Sequence, residues 1–107
     1  MRIALLALLI LPLSIKAAPD YTYCEITGLA FGANKDFVAA VAARIVDRQG
    51  LTGNAACQAI WKDAYATGKR LSSGGKWSEL DTVKWQKLQD FETKIIDNII
   101  SNLKLGS

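Results

Sequence analysis

The chain has 107 residues, half of them hydrophobic, and 13 Lys and Arg against 10 Asp and Glu give a formal net charge of +3. It contains no histidine, which excludes the Ser-His and Cys-His forms of nucleophilic catalysis and removes the most common metal ligand. The composition argues against familiar catalysis, and we expect no metal and no cofactor.

The first residues have the pattern of a secretory signal peptide. Arg2 gives a positive start, an apolar run covers residues 3–13, and small residues follow at Ala17 and Ala18. The run is well short of the roughly 20 apolar residues of a membrane-spanning helix, so a retained anchor is the less favoured alternative. We predict that residues 1–17 are a signal peptide cleaved after Ala17, and that the protein is secreted or periplasmic.

Residues 18–107 are predicted to form a single helical domain with almost no net charge. Cleavage removes Arg2 and Lys16 but no acidic residue, which leaves 11 basic against 10 acidic side chains and a charge of +1. We expect no nucleic-acid partner, because binding to a phosphate backbone needs a net basic face. A hydrophobic core in a domain of this size is marginal, so a covalent cross-link is a common supplement.

Cys24 and Cys57 are the only two cysteines. In an exported protein such a pair most often forms a disulfide. The alternatives are weaker, because two thiols in a chain without histidine are too few ligands for a metal, and the spacing is not the CxxC of redox pairs. We predict a Cys24–Cys57 disulfide, which stabilises the fold by about 3 to 4 kcal/mol on the chain-entropy model.

Helical periodicity and helix-end residues predict an all-α fold. No proline follows Pro19, so nothing interrupts the predicted helices. The predicted N-terminal caps are Thr22 (in a capping box with Glu25), Asn34, Asn54 or Thr52, and Ser78, and Gly50 is predicted to end the second helix. The four predicted helices cover residues 22–32, 35–49, 55–71 and 79–105.

The cysteines indicate how these helices are arranged. Cys24 lies in the first turn of the first predicted helix and Cys57 in the first turn of the third, with one complete helix between them. If successive helices reverse direction, the first and third begin at the same end of the molecule, where a disulfide can join them. We therefore predict a small antiparallel four-helix bundle with one disulfide, preceded by the cleaved signal peptide.

Apolar positions along one side of each helix are assigned to the core. Gly28 and Gly32 have the GxxxG spacing, which in a soluble helix is weak evidence for any particular contact. The predicted core positions are Phe37, Val38, Val41, Ile45 and Val46 of the second helix, Ile60, Trp61, Ala64 and Leu71 of the third, and Leu80, Val83, Leu88, Phe91 and Ile95 of the fourth.

Carboxylates of the fourth helix are the remaining candidates for acid–base catalysis. The spacings of Asp81 to Lys84 and of Asp90 to Lys94 are typical of surface ion pairs, which contribute a few tenths of a kcal/mol each. We therefore predict that the protein is not an enzyme. The carboxylates that crowd this helix are Glu79, Asp81, Asp90, Glu92 and Asp97.

The turn between the third and fourth helices is the first candidate contact surface. Its residues Lys69, Arg70, Lys76 and Trp77, here called the basic turn, combine cations with an aromatic ring. Such a group can bind an anion or an acidic patch of another protein. The alternative is that Lys69 and Arg70 only offset the negative end of the third helix, while Trp77 covers the edge of the core.

The end of the fourth helix is the second candidate surface. Ile95, Ile96, Ile99, Ile100 and Leu103 make its apolar side wider than one neighbour needs, and the fourth helix spans about 39 Å against about 27 Å for the third. An overhanging apolar end needs a partner protein, a second copy of the chain or a membrane surface. The alternative is a helix that bends over the bundle or is covered by the first helix. We predict Ile96, Ile100 and Leu103 as contact residues.

These features favour an exported protein that acts by binding. The leading hypothesis is a small non-catalytic protein-binding module of the inhibitor, immunity or accessory-subunit type, with a protein partner or self-association. The alternative function is a carrier of an apolar ligand or lipid held between the helices. A membrane-active helical protein comes third, because the charge of the exported part is near zero. Of the two surfaces, the apolar end of the fourth helix is slightly favoured over the basic turn.

Overall fold

The computed structural model describes the backbone of residues 20–106 and the side chains of residues 20–103. This part of the chain is all-α and contains no strand, which confirms the predicted fold class. The predicted signal peptide, residues 1–17, lies outside the described residues. The four helices are α1 (Thr22–Gly32), α2 (Asp36–Arg48), α3 (Ala55–Ser72) and α4 (Glu79–Gly106).

Three helix ends form as the sequence predicts. Asn54 Oδ1 accepts a hydrogen bond from the N–H of Cys57 at 2.9 Å and caps α3. Before α4, Ser78 Oγ accepts from the N–H of Asp81 at 3.1 Å, while the N–H of Ser78 donates to Asp81 Oδ2 at 2.9 Å. This reciprocal pair is a capping box with aspartate in the third position. Gly50 follows the end of α2 with a φ of 75°, a conformation that glycine adopts without strain.

Two predicted N-terminal caps are wrong. Thr22 is already part of α1, and the N-cap position is Tyr21, whose side chain makes no capping hydrogen bond. Asp20 Oδ1 accepts from the N–H of Thr22 at 3.0 Å. Asn34 has a φ of 62° and ends α1, where the N–H of Lys35 donates to the carbonyl of Ala30 at 2.8 Å. This is a Schellman end, and asparagine suits its left-handed position as well as it suits an N-cap.

The predicted disulfide is present between the first turns of α1 and α3. Cys24 and Cys57 are both buried, with 2.09 Å between their sulfurs and 5.5 Å between their Cα atoms. Farther along, Gly28 meets Trp61 and Gly32 meets Tyr65. The contacts therefore advance in the same direction on both helices, so α1 and α3 start at one end and run parallel.

Glycines bring the backbones of α1 and α3 into direct contact. A Cβ added to Gly28 or Gly32 would collide with a carbonyl oxygen of α3, and one added to Gly68 would collide with the carbonyl oxygen of Leu29 on α1. The GxxxG spacing, which carried little weight in the sequence, therefore lies at the closest helix contact. Ala64 completes this interface and is buried.

Helix α4 crosses the other three helices. Its first turn contacts the end of α3, its middle lies over α1, and Glu92 reaches Lys35 just before α2. This crossing differs from the predicted bundle, in which successive helices pack antiparallel. The ion pairs along the path are Arg70–Asp81, Glu25–Lys87 and Lys35–Glu92.

The crossing decides which apolar residues are buried. Leu88 is fully buried where α4 lies over α1, and Ile95 is 9% exposed. Leu80, Val83 and Phe37 are 61, 52 and 60% exposed, so their assignment to the core is wrong. Because α4 crosses the other helices, its contact with them is short, and these three side chains lie outside it. The core assignment is confirmed for Val38, Val46, Ala64, Leu71, Leu88 and Ile95.

Candidate protein-binding surface

The last turns of α4 expose four large apolar side chains. Helix α4 continues from the buried Ile95 to Gly106. Along this segment, four residues that we call the isoleucine stripe are 42 to 69% exposed. The stripe consists of Ile96, Ile99, Ile100 and Leu103.

Part of the isoleucine stripe continues the core-facing side of α4. Leu88, Ile95 and Ile99 follow one another at intervals of seven and four residues, which is the spacing of one helix face. The first two are buried against the other helices, whereas Ile99 is 42% exposed. Ile99 therefore continues the face that packs on α1 but is only partly covered. Ile100, five residues after Ile95, lies about 140° around the helix from it.

A groove between α2 and α4 adjoins this stripe. Its volume is about 230 Å³, and the Lys35–Glu92 ion pair, 3.2 Å from Nζ to Oε1, lies at its edge. Phe37 stands at the groove and is exposed, while Ile96 belongs to both the groove and the stripe. Stripe and groove thus form one apolar surface of several hundred Å², a size that often marks a functional patch. The lining residues are Lys35, Asp36, Phe37, Val38, Glu92, Ile95 and Ile96.

The predicted basic turn is largely engaged in contacts within the chain. Arg70 donates to both carboxylate oxygens of Asp81 and to the carbonyl oxygen of Lys76 at 3.1 Å. Asp81 is buried, and the hydrogen bonds from Arg70, followed by the N–H of Ser78, hold the pKa of its carboxyl well below the ordinary value. Arg70 therefore fastens the end of α3 to the start of α4.

Of the other residues of the basic turn, Lys69 and Trp77 contact aromatic rings, whereas Lys76 is exposed. Lys69 Nζ lies 5.6 Å from the centre of the Tyr65 ring, and Trp77 packs edge-on against Trp85 at 5.4 Å between ring centres. Trp77 keeps 43% of its surface exposed, and Lys76 is exposed as well. Binding through the basic turn stays a prediction that depends on Lys76 and Trp77 more than on Arg70.

Three of the five carboxylates named on α4, Asp81, Asp90 and Glu92, have separate partners. The surface pair predicted between Asp81 and Lys84 is wrong, since Asp81 binds Arg70 and Lys84 Nζ lies 4.0 Å from Asp63 Oδ2. Asp90 accepts a hydrogen bond from Gln86 Nε2 at 2.9 Å. Among the described residues, no group of three or more cysteine or carboxylate side chains could hold a metal ion.

A second apolar groove lies between α2 and α3, beside the disulfide. Its volume is about 250 Å³, and Trp61, Val46 and Leu51 form much of its wall. This volume is slightly below the range of about 300 to 1,000 Å³ that is usual for small-molecule sites. A carrier of an apolar ligand would need a site between helices. Within the described structure, this groove comes closest to such a site.

The described structure has four helices, of which α4 is the longest. None of them is long and apolar enough to span a bilayer. The chain matches no protein-family model, no curated protein and no solved structure.

Proposed function

We propose that this protein is a small exported, non-catalytic binding module that contacts another protein through the isoleucine stripe. The observation that carries the proposal is the exposure of four large apolar side chains on the turns of α4 that follow its last buried residue, Ile95. Covering several hundred Å² of such surface is favourable by several kcal/mol before the entropic cost of association. An inhibitor, an immunity protein or an accessory subunit would use this surface in the same way.

The disulfide supports the exported location. Cys24 and Cys57 lie at bonding distance in the described structure, and such bonds persist in oxidising compartments. Together with the signal-peptide pattern of residues 1–17, this supports a secreted or periplasmic protein. The partner is therefore to be sought in the same compartment.

The test compares two variants that place the same charge on α4. Ile100→Asp alters the isoleucine stripe, and Leu80→Asp alters another exposed apolar position, near the start of the helix. The exported, oxidised proteins are immobilised, and the partners they retain from their own compartment are quantified. We expect Ile100→Asp to lose the bound protein and Leu80→Asp to retain it, since an unpaired charge within an apolar contact is costly. Equal retention by both variants would overturn the proposal.

A carrier of an apolar ligand is the second candidate, because the groove of about 250 Å³ between α2 and α3 is walled largely by apolar side chains. Native mass spectrometry of the exported protein separates the two functions. A protein-binding module gives the mass of the polypeptide alone or of a protein complex. Additional mass that organic solvent extracts as lipid would favour the carrier.

A further inference from the structure

The isoleucine stripe has the same spacing in both chain directions. From Ile96 to Ile99 is three residues, from Ile99 to Ile100 one, and from Ile100 to Leu103 three. Two such segments packed antiparallel about a two-fold axis between residues 99 and 100 would place Ile96 opposite Leu103 and Ile99 opposite Ile100. We propose that the protein bound at the stripe is a second copy of this chain, in a two-fold symmetric dimer.

This inference deepens the proposed function and rests on it. The groove supplies the other half of a self-complementary surface, as a two-fold dimer requires. Leu103 of one copy would lie against Ile96 of the other, and Ile96 lines the groove together with Phe37. The exposure of Phe37, which is 60%, is then explained by the same contact that covers the stripe.

The polar residues of the segment do not oppose this pairing. In the same register Asp97 lies opposite Asn102, and Asn98 lies opposite Ser101, so no like charges face each other there. Lys35 and Glu92 at the edge of the groove already neutralise each other within one chain. The net charge of +1 expected for residues 18–107 adds little repulsion between copies.

The size of the surface sets the expected strength of the dimer. Stable interfaces bury about 800 Å² on each partner. The stripe and the groove offer several hundred Å² of apolar surface, and their polar margins add to it. We therefore expect a dimer that dissociates on dilution.

The experiment is sedimentation velocity on the exported, oxidised protein over a series of concentrations. Phe37→Asp breaks the groove and Leu103→Asp breaks the stripe, both at exposed positions, while Leu80→Asp is the matched control. We expect the wild type and Leu80→Asp to dimerise with the same dissociation constant. Each of the other two variants should raise that constant at least about tenfold. Circular dichroism should show unchanged helicity in all four proteins.

A mixture of the two defective variants tests the contact between stripe and groove directly. A dimer of Phe37→Asp with Leu103→Asp contains one intact contact, in which the unaltered stripe of one chain meets the unaltered groove of the other. The mixture should therefore dimerise more strongly than either variant alone. No gain on mixing would overturn the contact between the stripe of one copy and the groove of the other, and with it the proposed dimer.

The outcomes separate this inference from the proposed function. A wild type that stays monomeric at all concentrations but binds a different protein, with loss in Ile100→Asp, overturns the dimer and leaves the proposed function standing. A monomer that instead binds phosphatidylglycerol vesicles through the stripe overturns both.

Discussion

Arg70 donates two hydrogen bonds to Asp81, at 3.1 Å from Nη1 and 2.8 Å from Nη2 to the two carboxylate oxygens. The same carboxylate caps α4 by accepting from the N–H of Ser78. One buried side chain thus joins the end of α3 to the beginning of α4. The direction of α4 as it leaves this corner determines where the isoleucine stripe lies.

The first prediction concerns pH. The pKa of Asp81 is lowered from 3.8, so its stabilising effect is complete above that value and is lost as the pH falls below it. Asp81→Asn should melt at a lower temperature than wild type at pH 7, and the difference should shrink below about pH 4. Asp90→Asn, at an exposed carboxylate bound to Gln86, is the control and should melt close to wild type. A difference for Asp81→Asn that is constant from pH 7 to about pH 2 would contradict this account.

The second prediction concerns the disulfide. Intact mass spectrometry should show the oxidised protein two hydrogens lighter than the reduced chain. The double variant Cys24→Ala, Cys57→Ala should lose about 3 to 4 kcal/mol of unfolding free energy in urea titrations, because 33 residues of sequence separate the linked positions. Two thiols open to alkylation in freshly exported protein would disprove the cross-link.

The third prediction concerns the contact between α1 and α3. In an exposed helix, replacing glycine by alanine stabilises by up to about 1 kcal/mol. Gly28→Ala should instead lower the free energy of unfolding by about 1 to 3 kcal/mol, because its Cβ would collide with the backbone of α3. Gly75→Ala is the control, since its Cβ would make only ordinary contacts with Arg70. Urea denaturation of both variants measures the effect, and a stabilised Gly28→Ala would show that the helices are not in direct contact.

Local signals in the sequence predicted the helices well. Asn54, Ser78 and Gly50 were each predicted to lie at a helix end, and each is found in the predicted role. Asn34 was misplaced because asparagine serves two such roles, at the start of a helix and in a left-handed end. Which of the two roles an asparagine takes depends on the helix that precedes it. The few residues around Asn34 do not contain that information.

Contacts between distant parts of the chain were not predictable in this way. Asp81 was paired with Lys84 because they are neighbours on one helix, whereas its partner Arg70 belongs to another. Leu80 and Val83 follow a helical apolar pattern, but the pattern does not reveal that α4 crosses the other helices at Leu88. Phe37 was assigned to the core for the same reason, and its place beside the stripe emerged only with the fold.

The exposure of the isoleucine stripe is consistent with the overhang of the fourth helix that the sequence predicted. Ile95 is where the last core contact of α4 lies, and the helix continues to Gly106. The predicted helix lengths indicated that part of this segment would overhang. Its use for binding stays a prediction.

The most direct test of the central claim is to compare how Ile100→Asp and Trp77→Ala bind the protein that the wild type binds, its own copy included. Each variant alters one of the two candidate surfaces at an exposed side chain. If the isoleucine stripe is the contact surface, Ile100→Asp should weaken binding by at least about 2 kcal/mol, and Trp77→Ala should bind within about 0.5 kcal/mol of wild type. Normal binding by a folded Ile100→Asp, together with a defect in Trp77→Ala, would contradict the account and assign the contact to the basic turn.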